Sequence, residues 1–345
     1  MTRETQRTVP PSAEETIPMR RYRRLEHTQP MSSSTSRAEP GPTRIGRPRR
    51  AGCRSLLAPV IFLLVLTVAG LAAGRYVLRR WTDKLPRTNV LILGLDRRPG
   101  QGPVVRSDTM ILMTAYPAGT QIALLSIPRD LYVEIPGYGT NRINTAHFWG
   151  ESEAEGGGPA LAMQTVALNL GLPVHHYARL DFDSFRAIVD AAGGIDVVVE
   201  EPVVDDAYPT VDYGTIHIEI PAGPQHMDGE TALRYVRSRH GSSDFDRAER
   251  QQQILTALAR RLLKPAVWPR LPAVAQAVLS NVETDLTASD FLLLALALQR
   301  AGPEGIEHRV IGREMTDPWT TSTGAAVLLP RWEAIHPLVQ QMFTP

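Results

Sequence analysis

The chain has 345 residues, 43% hydrophobic and 21% charged, with 37 basic against 36 acidic side chains and one cysteine. A net charge of +1 supplies no global basic field of the kind that sequence-independent nucleic-acid binding relies on, so no nucleic-acid partner is expected. A single cysteine excludes a disulfide framework and a cysteine-built zinc site.

The average conceals two differently charged pieces. Residues 1–55 hold twelve Arg and five Glu, a balance of +7, which leaves −6 for residues 56–345. The first piece is rich in Pro, Ser, Thr and Arg and has too little apolar surface to offset its ordering entropy, so it reads as a disordered basic tail. Residues 56–73 then carry no charge, and the apolar run extends to Leu78 if Arg75 snorkels. At about 1.5 Å per residue this length crosses a roughly 30 Å hydrocarbon core. We read 56–78 as one transmembrane signal anchor, because the 55 residues before it are too many for a cleaved signal peptide. Local charge is nearly balanced, with six Arg in 36–55 against five Lys or Arg in 74–93, so only the longer tail favours a cytoplasmic N-terminus. Residues 79–87 are a linker; fully extended, 79–88 reach roughly 33 Å, which keeps the next domain close to the bilayer.

From 88 to 345 short strands and helices alternate. Strands are predicted at Asn89–Leu95, Thr109–Tyr116, Gln121–Ile127, Tyr177–Leu180, Ile195–Val199, His217–Ile220 and His308–Ile311, the second and third forming a hairpin. Helices are predicted at Pro159–Leu170, Phe182–Ala192, Asp228–Val236, Asp244–Lys264, Leu271–Asn281, Thr287–Leu298 and Pro330–Phe343. This order implies an α/β fold, a mixed central sheet flanked by helices on both faces. Positions 97–98, Glu151–Gly158 and Tyr208–Tyr213 read as variable or lid-like loops, and Asp317–Val327 as a polar loop before the closing helix.

Loops at strand ends are where α/β proteins place chemistry, and charged residues stand at four such places. They are Leu93-Gly-Leu-Asp96, Arg106-Ser-Asp-Thr109, Ser126-Ile-Pro-Arg-Asp130, and Tyr235-Val-Arg-Ser-Arg239 running into Asp244-Phe-Asp-Arg247-Ala-Glu-Arg250-Gln251. Singly, each has an ordinary reading as a turn or helix cap, and Arg is the preferred base throughout, 35 Arg to two Lys. Together, Arg106, Arg129, Arg237, Arg239, Arg247 and Gln251 are six planar donors against the two carboxylates of Asp96 and Asp108. That set suits a pyrophosphate with a divalent cation, since guanidinium forks match phosphate oxygens and carboxylates hold Mg²⁺ beside them. There is no Walker lysine, dinucleotide spacing, zincin histidine pair or nucleophile elbow.

The same strings, with Arg142-Ile-Asn144, Leu180-Asp-Phe182, Gly193-Gly-Ile-Asp-Val197, Gly223–Gly229, Ala232–His240 and Arg247–Gln252, resemble the LytR-CpsA-Psr family of bacterial cell-envelope proteins over about 89–263. The resemblance implies a phosphotransferase that moves a glycopolymer from a polyprenyl pyrophosphate carrier to a peptidoglycan acceptor. It implies a cytoplasmic tail, one pass through the bacterial cytoplasmic membrane and an extracytoplasmic catalytic domain. By motif, Asp96 and Asp108 would hold Mg²⁺ (or Mn²⁺), and Arg106, Arg129, Arg237, Arg239, Arg247 and Gln251 would grip the pyrophosphate. Arg106, Asp108, Arg129 and Asp130 form the catalytic set, with Asp244 and Arg250 in support. The family's apolar tunnel would here be lined by Phe182, Phe185, Ile188, Leu233, Val236 and Ile254, which also suit ordinary core packing. Two other readings stay open: a polyprenyl pyrophosphate phosphatase that uses water, and a membrane-anchored regulator without catalysis.

Overall fold

The structure is a computed structural model that describes residues 65–70, 72–74, 76–77, 80, 87–97, 101–116, 119, 121–210, 214–238 and 244–344. All of them lie in the unit Leu63–Pro345. The predicted tail and much of the predicted anchor lie outside the described residues. Residues 65–70, 72–74 and 76–77 are helical, with Val65, Leu66, Val68 and Val77 exposed. Among the described residues no helix is long and apolar enough to cross a membrane.

In chain order the elements are β1 (Thr88–Leu95), β2 (Ser107–Ala115), β3 (Ile122–Ser126), β4 (Tyr132–Ile135), β5 (Gly139–Arg142), α1 (Thr145–Glu153) and α2 (Gly157–Leu170). Next come β6 (His176–Leu180), α3 (Phe182–Ala191), β7 (Ile195–Val199), β8 (Val203–Pro209), β9 (Thr215–Ile220), β10 (Gly223–Met227), α4 (Gly229–Arg237) and α5 (Asp244–Leu263). The chain closes with α6 (Leu271–Asn281), β11 (Glu283–Thr284), α7 (Ala288–Ala301), β12 (Ile306–Val310), β13 (Thr316–Thr320), β14 (Ala326–Pro330) and α8 (Trp332–Phe343).

Six strands form the central sheet in the order β11-β6-β1-β2-β3-β12. It is mixed: β1 runs antiparallel to β2 but parallel to β6, and β12 runs parallel to β3. Both faces are covered, as the near-continuous apolar runs of β1 to β3 require. On one side Leu91, Leu93, Leu112 and Leu125 pack with Ala162, Val166 and Leu170 of α2 and Ile335 and Val339 of α8. The other side is covered by α5 and α7. A second core gathers Val189 of α3, Ile195 and Val197 of β7, Leu233 and Val236 of α4 and Ile254 of α5.

Three loop expectations are corrected. Glu151 is no loop residue: its side chain is fully buried in α1, accepts from the Gly156 and Gly158 amides and pairs with Arg179 Nη1 at 2.8 Å. Gly157 and Gly158 open α2, and a Cβ on Gly158 would meet Glu151 Oε2 and the His147 carbonyl at 2.7 Å, so the glycine is there for close approach. Tyr208 is 3% exposed within β8, and Asp317–Val327 forms most of the β13–β14 hairpin, tied by the Asp317–Arg331 ion pair.

Candidate active-site cleft

The site begins with a fault in the β1–β2 ladder. Gly94 pairs with Thr109 but Leu95 pairs with Ser107, so Asp108 is the extra residue of a bulge. A bulge frees its residue from strict alternation and re-aims the side chain. Gly94 is required beside it, because a Cβ there would lie 2.9 Å from the Cβ of Thr109. The fault lets Asp96, just past β1, and Asp108 share one cleft of about 480 Å³.

That cleft is also lined by Phe182, Asp205, Arg237, Arg247 and Gln251. Arg237 is the last residue of α4, where a cation meets the negative end of the helix dipole. Its guanidinium lies 4.0 Å over the Phe182 ring, 5.4 Å from the Tyr208 ring and 3.8 Å from Asp96 Oδ2. Arg247 and Gln251 stand four apart on one face of α5. The fully buried Gln252 fixes that face by donating from Nε2 to Ser126 Oγ at 2.7 Å and to the Arg309 carbonyl at 2.5 Å.

Arg129 and Asp130 line an adjoining pocket that shares Asp108, Arg247 and Gln251 with the cleft; Arg129 Nη1 donates to Asp108 Oδ1 at 2.8 Å while Nε lies 3.5 Å from Asp130 Oδ2. Asp130 Oδ1 in turn lies 3.3 Å from Arg142 Nε. The structure thus brings Asp96, Asp108, Arg129, Asp130, Arg237, Arg247 and Gln251 together. Arg106 is not with them: it is exposed and lines neither the cleft nor the adjoining pocket. Arg250 turns away, donating to the Ser238 carbonyl at 2.7 Å against the Tyr235 ring, and burial pushes its guanidinium below the usual value. Arg239 and the Asp244 side chain lie outside the described residues.

Asp108, Thr109, Phe182, Val236, Arg237 and Gln251 also wall an apolar slot of about 120 Å³, closed by Ile92, Ile111, Phe185, Leu233, Ile254 and Leu255. Five of the six predicted tunnel residues line it, and Ile188 does not. Asp205 and Arg142 carry no assigned role from sequence. Asp205 sits in a strand that no alternation pattern signals, whereas Arg142 belongs to the Arg142-Ile-Asn144 motif, whose link to Asp130 only the fold provides.

The two carboxylates fit a divalent cation. Asp96 Oδ1 is buried and accepts no hydrogen bond, and Asp108 faces the same cleft. Among the described residues no three His, Cys, Asp or Glu gather to hold a metal unaided. Magnesium tolerates this, since it takes one or two carboxylates and fills its shell with water and phosphate oxygens.

The cleft of arginines and carboxylates and the apolar slot thus share a wall in this α/β fold. The chain belongs to the LytR_cpsA_psr family, whose model matches residues 81–335. It is 35% identical over 200 residues to the polyisoprenyl-teichoic acid–peptidoglycan teichoic acid transferase TagU of Oceanobacillus iheyensis, covering 57% of this chain and 58% of that protein. The TagU of Enterococcus faecalis is 30% identical over 272 residues, 72% of this chain and 83% of the relative. The crystal structure of Bacillus subtilis TagV superposes with a TM-score of 0.62 at 27% identity, over 76% of this chain and 100% of that one.

Proposed function

We propose that this chain transfers a glycopolymer from a polyprenyl pyrophosphate carrier to a peptidoglycan hydroxyl, forming a phosphodiester. The observation that carries the reading is the shared wall between the charged cleft and the apolar slot at Phe182, Val236, Arg237 and Gln251. A lipid pyrophosphate needs those two environments side by side. The TagU relatives, named for transfer of polyisoprenyl-teichoic acid to peptidoglycan, support the same chemistry.

The acceptor oxygen attacks the phosphorus next to the glycan. A new P–O bond forms, the bond to the bridging oxygen breaks, prenyl phosphate departs with that oxygen, and the hydroxyl proton is released. Charge grows on the equatorial and leaving oxygens, and the guanidinium groups of Arg129, Arg237 and Arg247 with the Gln251 amide are positioned to meet it. Because Arg237 is already packed on Phe182 and Tyr208, it need not reorganise as the charge develops. Asp96 and Asp108 would hold Mg²⁺ or Mn²⁺, which when bound neutralises phosphate charge. The same proposal places 56–78 across the bacterial cytoplasmic membrane with the cleft on its outer side. There the short linker holds the cleft within reach of a carrier whose tail stays in the bilayer.

The test is product formation by the full-length protein in detergent, from a polyprenyl pyrophosphate-linked glycan and peptidoglycan. Arg129→Ala and Asp108→Ala should each lower transfer by about 100-fold, the scale of losing one preorganised charge contact, with an unchanged melting temperature. Near-native product from either folded variant would overturn the assignment.

A further inference from the structure

The charge ladder from Asp108 through Arg129 and Asp130 to Arg142 does not end at the cleft. Arg142 Nη2 and Nε both donate to the Ala326 carbonyl, at 2.6 and 3.1 Å, and the Leu328 amide donates to the Asp130 carbonyl at 3.0 Å. The β13–β14 hairpin is therefore moored to the same loop that supplies Arg129 and Asp130. Leu131, which follows the turn at Arg129 and Asp130, is fully buried, whereas Asp130 and Tyr132 on either side of it are half-buried. Tyr132 pairs across the ladder with Arg142, and its ring lies 5.8 Å from that of Trp319 on β13, at 56°. Trp319 is 46% exposed.

A single exposed aromatic is ordinary. This one is braced by a second ring, Tyr132, and stands on a hairpin held by Arg142 and by the backbone of Asp130, two residues before Tyr132 in the chain. The hydroxyls of Thr321 and Thr323, 2.9 Å apart, stand at the hairpin tip. An aromatic face beside charged and hydroxyl groups matches a pyranose ring, which has a flat C–H face and a rim of hydroxyls.

We infer that the surface from Asp130 to Trp319 is a subsite for the acceptor glycan, in which a sugar ring of the peptidoglycan strand lies on Trp319 and Tyr132. A neighbouring sugar is thereby carried past Arg142 and Asp130, so that its hydroxyl enters the cleft. This rests on the transferase reading, which it deepens by fixing the side from which the acceptor approaches.

The probe is a soluble tetrasaccharide of alternating N-acetylglucosamine and N-acetylmuramic acid, titrated calorimetrically into the full-length protein in detergent. Trp319→Ala should weaken binding by about tenfold, whereas Trp319→Phe, which keeps a ring, should stay within about threefold of native. In the transfer assay the alanine variant should raise the KM for acceptor by the same factor and leave the KM for the lipid donor unchanged. Equal binding by native and alanine proteins, or a change confined to the donor KM, would overturn the subsite. Trp319-dependent binding in a chain that transfers nothing would support the subsite while overturning the transferase reading.

Discussion

Arg237 shows how the cleft fixes a cation before any ligand arrives. Its guanidinium is stacked on Phe182, flanked by Tyr208 and drawn to Asp96, with the side chain only 17% exposed. A desolvated cation–π contact is worth about 2 kcal/mol, or roughly 30-fold in a rate that depends on the position of that charge. Phe182→Ala should therefore cost the lipid donor about ten- to thirtyfold in kcat/KM, and Phe182→Tyr should recover most of it. Steady-state kinetics with both variants checks this, and equal losses in the two would place the effect in packing rather than in the ring face. At this scale sequence located most of the groups, because Asp96, Asp108, Arg129 and Arg237 all stand at the ends of apolar runs. It could not tell Arg106 from Asp108: only the bulge between Gly94 and Leu95 decides which of two nearby side chains turns inward. A bulge is a relation between strands, and no single strand's pattern encodes it.

The cleft is assembled by elements that must approach closely. Gly229, the first residue of α4, lies against the α3 backbone, where an added Cβ would sit 2.5 Å from the Arg186 carbonyl and 2.8 Å from its Cα. Backbone cannot yield as a side-chain tip can, so Gly229→Ala should destabilise the protein by about 2 kcal/mol and displace α4. Because α4 carries Arg237 at its far end, donor affinity should fall as well, measurable by urea unfolding and donor titration on one preparation. Unchanged stability would mean that the two helices separate without cost. The long periodic elements were legible for the reason that makes them stable: α5 carries Arg247, Gln251 and Leu255 on one stripe, and β1 is apolar almost throughout. The β4–β5 and β13–β14 hairpins were not. Their strands are only four and five residues long, and Pro318 interrupts a run that would otherwise read as a strand.

At the scale of the whole molecule, a buried charge cluster stands on residues that do not line the cleft. Arg179, 6% exposed on β6, meets Glu151 and the half-exposed Glu283, and lies 3.1 Å from His147 Nε2. His147 Nδ1 lies 2.8 Å from the Val105 carbonyl, so the cluster also tethers the chain leading into β2. Burial pushes the Glu151 carboxyl up, but the Gly156 and Gly158 amides and Arg179 outweigh it and hold the group below its usual 4.5. Burial holds His147 below its usual 6.5, chiefly as the neutral ring. Both signs agree, because the folded chain binds fewer protons than the unfolded one. The His147 penalty starts as pH falls below 6.5, and the Glu151 contribution, complete above 4.5, is lost as pH falls through its depressed folded value. The urea midpoint of the full-length protein should therefore be level near pH 7, decline below 6.5 and decline more steeply below 4.5. Glu151→Gln removes one partner of a buried pair and should cost about 3 kcal/mol at pH 7, moderated by Glu283. Since that variant has no carboxylate left to protonate at this position, its curve should be flatter below pH 4.5, and the gap to the native protein should narrow there. Parallel curves would show that Glu151 stabilises the fold by shape and hydrogen bonding alone.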